Sequence, residues 1–114
     1  GSYPLLVLLF LFSGPTTGKT NFHKAEQLLM TMVDDTAKVN LLLKLGEHYC
    51  SNDNDKALMF LQEAYSISTT LDYYLGTGKS LIWLGRVYYY ESKFDLSNKY
   101  LVKAEIVLKN TDDA

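Results

Sequence analysis

From Asn21 onward, apolar side chains recur at intervals of three and four residues, the spacing that gathers them on one face of an α-helix. Small polar clusters interrupt the pattern and divide it into five helices. The first is expected over about Phe22–Val33, with Phe22, Ala25, Leu28, Leu29 and Met32 on its apolar side. Asp34-Asp35-Thr36 ends it and supplies a capping side chain for the second, over about Ala37–Cys50. Ser51-Asn52-Asp53-Asn54-Asp55 is a tight turn with the same capping chemistry, and a third helix follows over about Asp55–Thr69. Asp72 can cap a fourth, about Tyr73–Glu91, in which Gly76 and Gly78 weaken the first turns. Ser92 or Asp95 opens a fifth that ends near Lys109, leaving Asn110–Ala114 to fray. Both prolines, Pro4 and Pro15, precede this region, so only glycines interrupt its helical pattern. Five helices joined by loops of a few residues predict an all-α fold with consecutive antiparallel packing.

The chain also repeats itself. Leu42-x-x-Leu45-Gly46-x-x-Tyr49 recurs as Leu81-x-x-Leu84-Gly85-x-x-Tyr88, with the glycines 39 residues apart. Downstream, Ala57-x-x-x-Leu61-x-x-Ala64 recurs as Ser97-x-x-x-Leu101-x-x-Ala104, with the second alanines 40 apart. Gly46 and Gly85 allow close approach where a side chain would collide. Ala64 and Ala104 serve the same contact from the following helix, and Tyr49 and Tyr88 fill the remaining gap.

This signature resembles the tetratricopeptide repeat, and the resemblance covers about two thirds of the chain, from Lys38 to Leu108. The fold it implies is an antiparallel helix-pair solenoid of two full repeats. Ala25-x-x-x-Leu29-x-x-Met32 adds a half-repeat before them. The sequence departs from the family at several points. The family period is about 34 residues, so the stretch Leu71–Gly78 is longer, and the turn after Gly46 is one residue shorter than usual. Ser97 stands where alanine is usual, and neither copy has the closing proline.

In this architecture the first helix of each pair lines a concave groove. The resemblance therefore implies a binding surface of Asn40, Leu43, Lys44 and Glu47, continued by Lys79, Ile82, Trp83, Arg86, Tyr89 and Tyr90. Trp, Tyr and Arg are the side chains that dominate binding hot spots. Tyr88, Tyr89 and Tyr90 cannot all be core, because successive helix residues point about 100° apart. Tyr88 belongs to the packing signature, which leaves the other two partly exposed. Leu43 and Glu47 stand where some members clamp a C-terminal carboxylate with lysine and asparagine, so no such clamp is expected.

Ahead of the repeats, Leu5–Phe12 is a run of eight apolar residues followed by Ser13-Gly14-Pro15. A bilayer-spanning helix needs about 20 apolar residues. The run has the size of a signal-peptide core, which favours an exported or periplasmic setting; the alternative is a buried strand or short core helix in a cytoplasmic protein. Gly1-Ser2 has the form of a tag-cleavage scar. Residues 1–20 are thus read as scar, apolar segment and linker, and residues 21–114 as the helical domain. Ser13-Gly-Pro-Thr-Thr-Gly-Lys-Thr20 is a near-miss of the phosphate loop: counting back five from Gly18 lands on Ser13 rather than glycine.

Composition changes little in this picture. A chain of 114 residues, 47% hydrophobic and 21% charged, is an ordinary globular composition. Its net charge of −2 and dispersed lysines and arginines exclude a nucleic-acid footprint. The single cysteine, Cys50, cannot form an intrachain disulfide. His23 and His48 lie on different helices, His48 and Cys50 point apart, and no glutamate closes a calcium loop near Asp34-Asp35 or Asn52–Asp55. Hence no catalytic site, metal, cofactor or small-molecule substrate is expected. The reading is a protein- or peptide-binding module belonging to a larger protein, by analogy with sensory regions of bacterial signalling proteins. The alternative is self-association, a homo-oligomer formed through residues 5–12.

Overall fold

A computed structural model describes the backbone of residues 18–112 and the side chains of residues 22–111. The described residues are all-helical, with five helices and no strand: α1 (Gly18–Leu29), α2 (Thr36–Tyr49), α3 (Asn54–Thr70), α4 (Tyr74–Tyr90) and α5 (Phe94–Asp112). The chain divides between Val33 and Asp34 into two compact units, the first containing α1 and the second α2–α5. Leu5–Phe12 and most of the near-miss phosphate loop lie outside the described residues.

In the first unit, α1 buries Ala25, Leu28 and Leu29. It begins at Gly18, inside the stretch read as linker, and stops four residues short of the expected Val33. Its end tightens, because Met30, Thr31 and Met32 donate their backbone N–H groups to the carbonyls three residues back. The Thr31 hydroxyl also donates to the Leu28 carbonyl at 2.9 Å, competing with continued helix.

The second unit starts with side-chain caps. An Asp35 carboxylate oxygen accepts the Lys38 N–H at 3.0 Å and opens α2. Asp53 accepts the Lys56 N–H at 3.1 Å and opens α3. Both satisfy an N–H that has no intrahelical partner. The Lys38 ammonium lies 2.9 Å from Asp34 and 3.6 Å from Glu63, tying α2 to α3. The Asp34 hydrogen bond leads in raising its pKa above the ordinary lysine value, with burial opposing.

The polar residues expected to cap the next two helices act otherwise. Asp72 and Ser92 do not cap the helices that follow. They take left-handed backbone, φ 54° and 61°, and end the helices before them. After α3, the Asp72 N–H bonds the Thr69 carbonyl and the Tyr73 N–H reaches back to Ser68. After α4, the Ser92 N–H bonds Tyr89 and the Lys93 N–H reaches Tyr88. This paired closure satisfies carbonyls the helix end would leave open. Tyr73 then precedes α4 without any side-chain cap, while Asp95 falls within the first turn of α5. That helix runs on to Asp112, beyond the expected fraying point at Asn110.

Within the second unit, connections of three or four residues fold α3, α4 and α5 back on their predecessors, and α2·α3, α3·α4, α4·α5 and α2·α4 all pack together. Helix α4 is central, touching all three others. Its Gly76, Thr77, Gly78, Ser80, Leu81, Leu84, Gly85 and Val87 are buried. Gly78 is a packing site rather than a weak point, since a Cβ there would run into Leu108. The Thr77 hydroxyl lies 2.9 Å from Ser68 Oγ, whose own proton goes to the Tyr65 carbonyl. That chain of bonds satisfies the buried hydroxyls between α3 and α4.

The two sequence copies make matching contacts. A Cβ on Gly46 would collide with Leu61, and one on Gly85 would meet Leu101 at 2.9 Å. The partner is therefore the leucine one turn before Ala64 or Ala104, although both alanines are buried, as is Ala57. Tyr49 stacks on Phe60 with ring centres 6.0 Å apart, and Tyr88 on Tyr100 at 5.3 Å. Leu45 and Leu84, beside the glycines, are buried as well. Ser97 is buried too and donates its hydroxyl to the Gly85 carbonyl at 2.7 Å, which gives that hydroxyl a use where alanine has none. The shorter Gly46–Ala57 spacing is absorbed by the helix end: α2 stops three residues past Gly46, whereas α4 runs five past Gly85.

Candidate functional site

Helices α2 and α4 pack side by side in register. Residues 39 apart therefore sit at matching places: Asn40 with Lys79, Leu43 with Ile82, Lys44 with Trp83 and Glu47 with Arg86. These eight side chains, joined by Tyr73 from the α3–α4 turn, line one open depression of about 590 Å³. A second, of about 430 Å³, is lined by Glu47, Cys50, Trp83, Arg86, Tyr89 and Tyr90. Glu47, Trp83 and Arg86 border both, so the two adjoin.

The shared face of each helix follows from local chemistry. On α2, Asn40, Leu43, Lys44 and Glu47 recur at three- and four-residue spacing, which keeps them on one stripe, and Cys50 at its C-cap continues it. The same holds for Lys79, Ile82, Trp83, Arg86 and Tyr90 on α4. Leu43 is buried and forms floor, Ile82 and Trp83 are half-buried, and Asn40, Lys44, Glu47, Lys79 and Arg86 are exposed.

Two interactions hold polar groups in place. The Tyr73 hydroxyl donates to Asn40 Oδ1 at 2.9 Å, fixing the amide plane and turning its N–H donors the other way. The Arg86 guanidinium lies over the Trp83 ring, 4.4 Å from its centre. The tyrosine triple divides as the helical angle demands. Tyr88 is half-buried against Tyr100, while Tyr89 and Tyr90 are 60% and 59% exposed at the groove's end. The Tyr89 ring packs edge-on against Tyr90 and Phe94, at 6.1 and 5.3 Å.

No family model, curated protein or solved structure matches this chain. What the groove can do is therefore argued from its own side chains. It offers aromatic faces, an oriented amide and three cations against one carboxylate. Among the described residues, no group of three or more His, Cys, Asp or Glu could hold a metal ion. The acidic clusters near the turns are engaged in capping: Asp35 and Asp53 as above, Asn54 accepting the Ser51 N–H at 2.8 Å. His23 is exposed on α1, and His48 packs edge-on to Tyr49 at 4.8 Å. No described helix is long and apolar enough to cross a membrane.

Two groove residues escaped the sequence reading. Cys50 lies seven residues past Leu43, on the same stripe, so its spacing was a usable signal. Burial, the leading cause, pushes its thiol pKa up, with the Arg86 charge opposing and Glu47 adding to the rise. Tyr73 lies outside any helix and carried no such signal. Only the path of the α3–α4 turn brings its hydroxyl to Asn40.

Proposed function

We propose that this chain is a non-catalytic, tetratricopeptide-type module that binds a protein or peptide segment in the groove between α2 and α4, as the sensing or scaffolding part of a larger assembly. One observation carries the reading: side chains 39 residues apart on α2 and α4 line one open depression, which adjoins a second lined by Trp83, Arg86, Tyr89 and Tyr90. Recurrence of the Gly46–Leu61 and Gly85–Leu101 contacts supports pairing of α2 with α3 and of α4 with α5 as repeat units.

Trp83 is the only tryptophan, which makes its fluorescence a direct reporter of groove occupancy. Titration with a broad synthetic peptide library is expected to yield binders that shift Trp83 emission and weaken on Arg86→Ala. A folded protein whose Trp83 responds to none of them argues against the groove.

A second reading, self-association, is favoured by α5, which exposes Leu96, Leu101, Val102 and Ile106. The N-terminal version of that reading, through residues 5–12, lies outside the described residues. Light scattering across a concentration series tests self-association as a whole, and a constant monomer mass removes it.

A further inference from the structure

The geometry points to an acidic, extended peptide segment as the ligand of the α2–α4 groove, an inference that rests on the peptide-groove reading above. The whole chain carries a net charge of −2, yet the groove lining holds Lys44, Lys79 and Arg86 against the single carboxylate of Glu47. A cleft between low-dielectric walls focuses such a local excess and raises the concentration of the opposite charge within it.

Among the described residues, neither Lys79 nor Arg86 has a carboxylate within ion-pair distance, whereas Lys38 pairs with Asp34 and Glu63, and Lys93 with Glu91. Both charges are thus open to a carboxylate brought by a ligand. Arg86 is well prepared for one. Its guanidinium lies over the Trp83 ring, so the ring limits its motion while its N–H groups can take a carboxylate. Asn40, held by Tyr73, offers amide N–H groups to a backbone carbonyl of an extended chain.

The opposite charge preference has one argument in its favour. Trp83, Tyr89 and Tyr90 beside Glu47 have the composition of an aromatic box for a cation. Arg86 already lies on the Trp83 ring, however, and a second cation would meet it and Lys79 at short range. The box is occupied by a side chain of the protein itself, and the surplus of positive charge selects an anionic partner.

The test uses the full chain and a library of ten-residue peptides randomised at every position. Selected binders are expected to be enriched in Asp and Glu over Lys and Arg, to shift Trp83 emission, and to weaken as salt is added. Lys79→Glu and Arg86→Glu alter exposed side chains, so the fold should survive, as circular dichroism can verify. Each should weaken the best binder about tenfold or more, while Glu47→Gln should strengthen it a few-fold. Binders enriched in neutral or basic residues that still shift Trp83 would overturn the charge inference and leave the groove reading standing. Binders that leave Trp83 unchanged would sink the groove reading and this inference with it. Equally tight binding of a ten-nucleotide oligothymidylate would overturn the inference by showing attraction to any polyanion.

Discussion

Replacing Gly46 by alanine adds a methyl group where the Leu61 side chain already lies. The added Cβ would meet both Leu61 methyl carbons and its Cγ, so rotating one methyl away cannot relieve the contact. Leu61 is 0% exposed, leaving it no solvent to move into. Overpacking of this kind costs about 1–3 kcal/mol, against a gain of about 1 kcal/mol from alanine's better helix propensity. With two atoms in collision, the Cγ branch point among them, the cost falls in the upper half of that range, for a net loss of about 1–2 kcal/mol. Gly85→Ala is the internal control. Its nearest obstacle, Leu101, is at 2.9 Å and is 41% exposed, so it can swing outward, although the Ser97 carbonyl at 3.2 Å must also give slightly. Here strain and propensity nearly cancel, and the net change should stay within about 0.5 kcal/mol. Urea unfolding followed by circular dichroism reads both variants. In a thermal scan, the Gly46 change should lower the midpoint by roughly 5–15 °C in a unit of this size. Pairing Gly46→Ala with Leu61→Ala should cost less than the sum of the single changes, since the new methyl then enters vacated space. A Gly46→Ala protein as stable as the parent, or strict additivity in the pair, would refute the close-approach account.

Three further outcomes follow from individual side chains. Ser97→Ala removes the buried bond to the Gly85 carbonyl and should cost about 0.5–1.5 kcal/mol in the same unfolding assay, even though alanine is the residue the repeat usually carries there. Ser92→Gly should stabilise by up to about 1 kcal/mol, because glycine adopts the left-handed φ of 61° without opposition from a Cβ; a loss of stability would count against the left-handed turn. Cys50 should react with iodoacetamide more slowly than an exposed cysteine at roughly pH 8. Because its folded pKa is raised, its contribution to stability is present at neutral pH and should fade as the solution becomes alkaline enough to deprotonate the folded thiol; Arg86→Ala, which removes the opposing charge, should slow the reaction further.

Much of this fold was legible before any coordinates. Helix α3 begins and ends within one residue of expectation, as does α2, because apolar periodicity and the Asp35 and Asp53 caps are short-range properties. The groove residues were named through the tetratricopeptide resemblance, and Asn40, Leu43, Lys44, Glu47, Lys79, Ile82, Trp83 and Arg86 line one depression. The expected caps at Asp72 and Ser92 failed because the same residue types serve either helix end. A short polar side chain can cap an N-terminus or tolerate left-handed backbone, and hydrogen bonds from Tyr73 and Lys93 back to Ser68 and Tyr88 decide which. The end of α1 failed similarly, since the Thr31 hydroxyl closes a helix that periodicity alone would continue.

The sequence by itself thus determined that the described residues are helical and that α2 and α4 carry the same pattern 39 residues apart. Only the tertiary structure decided what stands opposite each glycine, leucines 61 and 101 rather than the small residues a turn later. It alone brought Tyr73 to Asn40 and laid Arg86 on Trp83. The physical reason is range. Helix periodicity and capping are written in neighbours along the chain, whereas the occupant of a gap depends on how far one helix slides along another. Packing of α2, α3, α4 and α5 as a set fixes that distance.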